Sequence, residues 1–220
     1  MLPIQRPRVK ICCIMSPYEA QLAIEAGASA LGLVGSMPSG PGVIPDSDIA
    51  AIAAIVPVPV ASVLLTSRRS AAEIAAHHRA VRTSVIQIVD SLPEGAFREL
   101  RELLPGIRLM QVIHVLDEHS IDEALAAQDR VDAVLLDSGR PHLPVKELGG
   151  TGRQHDWTLS RRIREALRIP MFLAGGLRPE NVRRAIAEVG PFGLDVCSGV
   201  RTKGKLDPAK LTAFIREATG

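Results

Sequence analysis

The sequence predicts a single (β/α)₈ barrel over residues 1–220, and three observations favour this fold class. The chain of 220 residues fits one domain and approaches the roughly 250 residues of a typical barrel of this kind. Short apolar runs alternate with helical patterns from end to end, which is typical of parallel strands joined by helices. An open doubly wound sheet shows the same alternation, but the even spacing and the lack of GxGxxG after the first run favour the closed barrel.

The strand candidates are short, and several are apolar throughout rather than alternating between apolar and polar residues. Continuous apolar runs are expected where parallel strands are covered by helices. The eight candidates are 9–15, 30–34, 60–65, 84–89, 108–115, 132–137, 170–174 and 193–197.

The helix candidates lie between these runs, and a last one follows the eighth run. Several begin at Pro or at a residue whose side chain can cap a helix, namely at Ser16-Pro17, Pro45-Asp46, Asp156-Trp157 and Asp207-Pro208. The eight candidates are 17–26, 46–55, 70–81, 94–104, 118–128, 157–167, 179–188 and 207–218.

The composition argues against several classes of partner and site. A net charge of +2 and an aromatic content of 3% predict neither a nucleic-acid partner nor a membrane surface. The three cysteines form no CxxC spacing, and no HxxxH spacing is present, so we expect no metal, no cofactor and no disulfide framework. The first ten residues lack the apolar stretch of a secretory signal, which predicts a reduced, cytoplasmic protein.

In a barrel, function is expected at the carboxyl ends of the strands and in the loops that follow them. Lys10 and Cys12 should point to one face of the first strand, and Ile11 and Cys13 to the other. A cysteine that faces inward at this end can act as a base or nucleophile. The alternative is an inert buried thiol, since free cysteine is among the most buried residue types.

Asp137 ends the sixth strand, where a carboxylate would point at the mouth of the barrel. Its alternative role is to bind the backbone of the next loop.

Glycines follow strands six, seven and eight, and they let backbone amides approach an anion, so we predict a phosphate site there. The residues of that predicted site are Gly150, Thr151, Gly152, Gly175, Gly176, Ser198 and Gly199.

The histidines give weaker signals. His114 ends the fifth strand and is a candidate for the mouth, whereas His77 and His78 are expected on a solvated helix face. His155 is a possible ligand contact, and Asp156 is explained equally well as a helix cap.

Over almost its whole length the chain resembles phosphoribosylanthranilate isomerase, the tryptophan-pathway enzyme. The order GGTG, DW, AGGL-x-PENV and DV-x-SGV is a specific signature of that family. The matching segments are VKICC (9–13), EAGASALGLV (25–34), LLDS (135–138), GGTGRQHDW (149–157), FLAGGLRPENVRRAI (172–186) and GLDVCSGV (193–200).

The resemblance implies an Amadori rearrangement of an aminoaldose phosphate to an aminoketose phosphate. In that family the cysteine of the first strand removes the proton from the sugar C2, and the aspartate ending strand six protonates the ring oxygen. These roles fall on Cys12 and Asp137 here. Lys10, Gln87 and Asp195 are the further substrate contacts that the resemblance implies.

The chain departs from the family on the side of the early strands. Cys13 stands where the family usually has Gly, and SGPG (39–42) replaces a loop whose Arg grips the anthranilate carboxylate. Val89-Asp90 replaces His-Gly after Gln87. Arg68, Arg140 and Arg153 are candidates to replace the missing Arg.

Three functions therefore stay open from the sequence. The first is isomerisation of phosphoribosylanthranilate or a related N-linked ribose phosphate, by a monomer or a homodimer. The second is a reaction of another phosphorylated sugar on the same fold, and the third is binding of a phosphometabolite without catalysis.

Overall fold

A computed structural model describes residues 6–38, 40–139 and 155–220. Eight parallel strands close into a barrel in the order β1 to β8, and β8 pairs with β1 to complete it. This confirms the closed barrel and excludes the open sheet, because a doubly wound sheet has two unpaired edges. A small antiparallel pair, β9 and β10, follows the barrel.

The strands lie close to their predicted positions. Their bounds are β1 Arg8–Ile11, β2 Ala30–Val34, β3 Ala61–Thr66, β4 Val85–Ile88, β5 Arg108–His114, β6 Ala133–Asp137, β7 Met171–Leu173, β8 Gly193–Val196, β9 Arg201–Thr202 and β10 Lys205–Leu206.

A helix follows each barrel strand, and a 3₁₀ turn at Ser198–Val200 precedes the last helix. The helices are α1 Pro17–Glu25, α2 Asp46–Ile55, α3 Ala71–Val81, α4 Ala96–Leu103, α5 His119–Ala127, α6 Trp157–Ala166, α7 Val182–Val189 and α8 Pro208–Thr219. Ser16, Asp156 and Asp207 each accept a hydrogen bond from a backbone N–H in the first turn of α1, α6 and α8, which confirms them as caps.

The hydrophobic core has two parts, as a barrel requires. The larger part lies between the outer face of the strands and the helices, and Ile11, Leu33 and Leu136 belong to it. The smaller part fills the barrel interior with alternate residues of the same strands, among them Ala30, Val63 and Leu135. A polar side chain in the interior part therefore points into the barrel, whose mouth lies at the carboxyl ends of the strands.

Two local expectations were wrong. β1 ends at Ile11 rather than at residue 15, because Cys13 has a φ of 62°, a left-handed conformation that interrupts an extended strand. As a result Cys13 packs into the interior cluster together with Cys12, instead of facing the opposite side.

His77 and His78 were also misplaced on a solvated face. His77 is buried, and its Nε2 lies 2.9 Å from Asp46 Oδ1. It packs beneath the end of β2, since a Cβ at Gly35 would lie 2.5 Å from His77 Cε1. His78 Nε2 lies 2.7 Å from the Thr83 carbonyl oxygen. His77 therefore ties α3 to α2, and His78 ties α3 to the turn that follows it.

Within the described ranges of the chain, no helix combines the length and apolar character needed to cross a membrane.

Candidate active site

Lys10 and Cys12 project from β1 into the barrel interior, towards the same point on β2. A Cβ at Gly32 would lie 2.9 Å from Cys12 Sγ and 3.0 Å from Lys10 Nζ. Only a glycine leaves room for both side chains here. The strand alternation predicted from the sequence is thus correct for Lys10 and Cys12.

Asp195 on β8 is the direct partner of Lys10. The two residues are in register across the β1–β8 pair, and Lys10 Nζ donates a hydrogen bond to Asp195 Oδ1 at 2.7 Å. Burial opposes the charge on Lys10, but its interactions with Asp195 and Cys12 outweigh that effect and raise the lysine pKa. Lys10 is therefore a buried, permanently charged ammonium beside the cysteine.

Asp137 ends β6, which is separated from β1 by β7 and β8, so its carboxyl group enters the interior from across the barrel. Its Oδ1 accepts a hydrogen bond from the Ser138 backbone N–H at 2.7 Å. Burial raises the pKa of Asp137 to about 6, the charge of Asp195 adds to the shift, and Ser138 and Lys10 oppose it. The group can therefore carry a proton near neutral pH, as a general acid must.

We expect ionisation of Asp137 to destabilise the fold as the pH rises towards 6. An ordinary aspartate has a pKa of 3.8, so between 3.8 and about 6 the folded chain holds more protons than the unfolded chain. The free energy of unfolding then falls with rising pH across that window and stays lower above it, by on the order of 3 kcal/mol. Denaturant unfolding of the native chain and Asp137→Asn across this range measures the effect.

The asparagine variant should be the more stable protein above the window, and the two curves should converge below it. A constant difference at all pH values would contradict a raised pKa for Asp137.

Two further polar side chains face the interior at the mouth. Gln87 on β4 is buried, and its Oε1 has no hydrogen-bond partner among the described residues. His114 on β5 is in register with Asp137 on β6, and its Nε2 lies 3.3 Å from the Val89 carbonyl oxygen. A buried amide oxygen without a partner is costly, so Gln87 is suited to meet a donor on a ligand.

The glycines after β7 and β8 form one continuous surface. Gly175 and Gly176 have φ values of 79° and 65°, a conformation that favours glycine. Asn181 occupies the N-cap position of α7 without a side-chain cap bond, and its Nδ2 donates to the Gly176 carbonyl oxygen at 3.0 Å and holds that turn. Ser198 and Gly199 begin the 3₁₀ turn after β8. Gly150, Thr151 and Gly152, which belong to the loop after β6, lie outside the described residues.

Replacing Gly199 by alanine is expected to weaken phosphate binding by about tenfold or more. A Cβ there would lie 1.9 Å from the Leu177 carbonyl oxygen, so the turns after β7 and β8 must separate. Calorimetric titration with inorganic phosphate measures the affinity. Gly204→Ala is the control for the loss of a glycine. Gly204 has open space around it, and its φ of 79° strains the alanine locally without forcing two turns apart. Equal affinities in the two variants would argue against an anion site between these turns.

The opposite side of the mouth is built differently. A Cβ at Gly42 would lie 2.4 Å from the Cβ of Cys13, so the loop after β2 rests directly on that side chain. Arg68 does not enter the interior: its Nη1 donates to the Glu73 carbonyl oxygen on α3 at 3.4 Å. Arg140 and Arg153, the other candidates to replace the missing Arg, lie outside the described residues.

Sequence reasoning missed an ion pair that fixes the turn after β1. Arg201 and Glu19 are both buried and are joined by contacts of 2.9 and 3.0 Å. Glu19 also accepts from the Met15 backbone N–H at 3.0 Å, and Arg201 donates to the Cys13 carbonyl oxygen. Neither residue lies in a recognisable motif, so no local signal in the sequence identifies them.

His155 is hydrogen bonded within the protein, at the start of α6. Its Nε2 lies 2.8 Å from Ser160 Oγ on α6, and burial lowers its pKa to about 4. The side chain is therefore neutral at physiological pH and bound within its own helix start.

Comparisons with known proteins show which family this chain is similar to. The model of the family described as N-(5'-phosphoribosyl)anthranilate (PRA) isomerase matches residues 9–217. The isomerase of Methanosarcina acetivorans is 36% identical, over 96% of this chain and 93% of its own length. The crystal structure of phosphoribosyl anthranilate isomerase from Thermotoga maritima has 32% identity and a TM-score of 0.83, covering 96% of this chain and 98% of that one.

A further solved structure is that of a phosphoribosyl anthranilate isomerase in complex with reduced 1-(o-carboxyphenylamino)-1-deoxyribulose 5-phosphate. It has 30% identity and a TM-score of 0.80, and it covers 96% of this chain and 98% of that chain. The match runs through the whole barrel, including β1, β6 and β8, and this chain belongs to the N-(5'-phosphoribosyl)anthranilate isomerase family.

Proposed function

We propose that this protein isomerises N-(5'-phosphoribosyl)anthranilate to the corresponding 1-amino-1-deoxyribulose 5-phosphate, a step of tryptophan biosynthesis. The observation that carries the proposal is a carboxyl group with a pKa of about 6 that interacts with the charge of Lys10, the lysine beside the Cys12 thiol in the barrel interior. Ring opening of an aminoaldose needs an acid at the ring oxygen, and the subsequent rearrangement needs a base at C2. A single site with both groups on opposite walls meets that need.

The reaction begins at Asp137. In its protonated form the carboxyl group donates a proton to the furanose oxygen, the C1–O bond breaks, and an iminium forms at C1 and the anthranilate nitrogen. The positive iminium acidifies the C2–H bond. Because Ser138 N–H binds Oδ1, the carboxyl group is held in a fixed orientation.

Cys12 then takes the proton from C2, and the resulting enolamine tautomerises to the ketone. The Lys10 ammonium stabilises negative charge on the Cys12 sulfur, and Asp195 fixes Lys10 in place. In this scheme Lys10 and Asp195 are positioning residues, and Gln87 offers its free Oε1 to a sugar hydroxyl.

The phosphate binds at the turns after β7 and β8, where Gly175, Gly176, Ser198 and Gly199 present backbone amides. Gly150, Thr151 and Gly152 of the loop after β6 complete the set in this proposal. Barrel phosphate sites are commonly built from these loops, and they lie between the strands that carry Asp137 and Cys12. An anchored phosphate therefore fixes the sugar between acid and base.

The aglycone belongs at the mouth above β2 and β3. The relative that binds reduced 1-(o-carboxyphenylamino)-1-deoxyribulose 5-phosphate supports a carboxyphenylamino group in the ligand. Action on another phosphorylated sugar, or binding without catalysis, is not favoured, since the family match spans residues 9–217. The cytoplasmic location and the choice between monomer and homodimer remain predictions.

A direct assay tests the proposal. Purified protein is expected to convert N-(5'-phosphoribosyl)anthranilate to the ketose, followed by NMR of the sugar carbons, without any added metal or cofactor. The same gene should restore growth of a tryptophan auxotroph that lacks this isomerase. Failure of both experiments, with a folded protein that still binds phosphate, would favour the phosphometabolite-binding alternative.

A further inference from the structure

Two thiols without a part in the proposed reaction meet at the edge of the active site. Cys13 follows the end of β1 and Cys197 follows the end of β8, and their Sγ atoms lie 2.7 Å apart. These strands are paired in the barrel, so backbone hydrogen bonds fix the two chain segments side by side. Both cysteines are free in this structure.

The surroundings of the pair differ on its two sides. Cys13 is buried and is hydrogen bonded to the thiols of both Cys12 and Cys197, which together with burial raises its pKa well above the usual value. Cys197 is partly exposed; its hydrogen bond with Cys13 and the nearby Arg201 lower its pKa against the effect of burial. Cys197 is thus the member that ionises first and that a solute can reach.

We propose that Cys13 and Cys197 are an oxidative modification site, at which a reversible disulfide forms and switches off the active site. The two sulfur atoms need to approach by less than about 1 Å to reach the length of a disulfide bond.

The oxidant is hydrogen peroxide, and the chemistry balances in two steps. The Cys197 thiolate attacks the peroxide oxygen, breaks the O–O bond and becomes a sulfenic acid, while the hydroxide that leaves takes up a proton as water. The Cys13 thiol then displaces hydroxide from the sulfenic sulfur, which forms the S–S bond and releases a second water. Two thiols lose two electrons and two protons in total, and a dithiol reductant reverses the change by exchange.

The disulfide would disturb both halves of the site. Cys13 is the neighbour of Cys12, and its left-handed backbone is held by Gly42 and by Arg201. Cys197 is the neighbour of Ser198, where the phosphate turn begins. A bond between them therefore shifts the base and the phosphate turn together, and a displacement of about 1 Å can cost on the order of 10²-fold in rate. This effect on turnover rests on the proposed function.

Peptide mapping after treatment with hydrogen peroxide tests the bond itself. A tryptic digest of the native chain, made without reductant, should contain peptide 11–68 joined to peptide 185–201 by a disulfide. Treatment with dithiothreitol should separate the two peptides. Because the first peptide holds both Cys12 and Cys13, the Cys12→Ser variant must give the same link and Cys13→Ser must not. The proposal is overturned if peroxide consumes thiols and the linked peptide forms neither in the native chain nor in Cys12→Ser.

Turnover tests the switch. In the native chain treated with peroxide, activity should fall in proportion to the fraction of molecules with the disulfide, and dithiothreitol should restore it. The Cys197→Ser variant should be as active as the native chain under reducing conditions, and peroxide should inactivate it far more slowly. Equal rates of inactivation in the two proteins would assign the loss to oxidation of Cys12 and overturn the switch. If the reduced native chain does not isomerise the substrate at all, the proposed function fails, and the peptide map still decides on the disulfide.

Discussion

Replacing Asp137 by asparagine is expected to lower kcat/KM by about 10²- to 10⁴-fold, the usual contribution of a positioned general acid. The amide is close in shape to the carboxyl group and keeps an oxygen that can accept from the Ser138 N–H, so the loop after β6 should stay in place. What the variant lacks is a proton that it can give to the sugar ring oxygen. Steady-state kinetics with N-(5'-phosphoribosyl)anthranilate measure the loss.

Asp132→Asn provides the matched control for this experiment. Asp132 immediately precedes β6, at the opposite end of the strand, and binds Arg101 and Arg108 at 2.8 Å each. Its hydrogen bonds with Leu109 and the two arginines lower its pKa despite burial, so it holds a charge rather than a proton. Substitution there should reduce stability and leave kcat/KM nearly unchanged, as expected for the amino-terminal face of a barrel.

The two aspartates also separate activity from stability. Asp137→Asn should lose turnover while becoming more stable above pH 6, because it removes a buried carboxylate. A variant that retains native kcat/KM would exclude Asp137 as the acid, whatever its stability.

The barrel itself could be predicted from the sequence because its signals are local and repeated. Each apolar run of about five residues is followed by a helix with a marked start, and closure follows from the number and spacing of these units. The interior positions of Cys12 and Asp137 were also predictable. The sequence pattern indicates where each strand ends, and side chains alternate between the two faces of a strand.

The errors arose where the backbone leaves regular geometry. The alternation that places Cys12 fails one residue later, because the φ of 62° at Cys13 turns that side chain into the interior as well. The prediction that side chains alternate between two faces assumes an extended backbone, so it does not apply where the backbone turns. The approach of Gly42 to Cys13 depends on two separate loops and has no signature in either one.

Long-range contacts account for the other differences. Cys13 and Cys197 are 184 positions apart in the chain, and Glu19 and Arg201 are 182 apart. Only closure of the barrel between β1 and β8 brings these pairs together, and a single sequence does not encode register around a closed sheet in any local pattern.

Replacing Cys12 by alanine is expected to abolish measurable turnover, with a loss of about 10²- to 10⁴-fold or more, and to leave ligand affinity largely intact. The thiol is the group that removes the C2 proton in the proposed reaction, and no other thiol among the described residues lies beside Lys10 over Gly32 in this way. The phosphate turns after β7 and β8 do not contain Cys12, so calorimetric titration with inorganic phosphate should give a native-like affinity.

Cys13→Ala is the matched control, since it removes the adjacent thiol and leaves Cys12 in place. The Cys13 sulfur contacts Cys197 and the loop after β2 and is hydrogen bonded to the Cys12 thiol. The variant therefore removes a neighbour of the base but not the base itself, and it should retain most of its turnover under reducing conditions. Near-native turnover in Cys12→Ala would rule out the proposed base. Loss of turnover in Cys13→Ala with native activity in Cys12→Ala would instead move the base by one residue, to the thiol whose left-handed backbone turns it into the same interior.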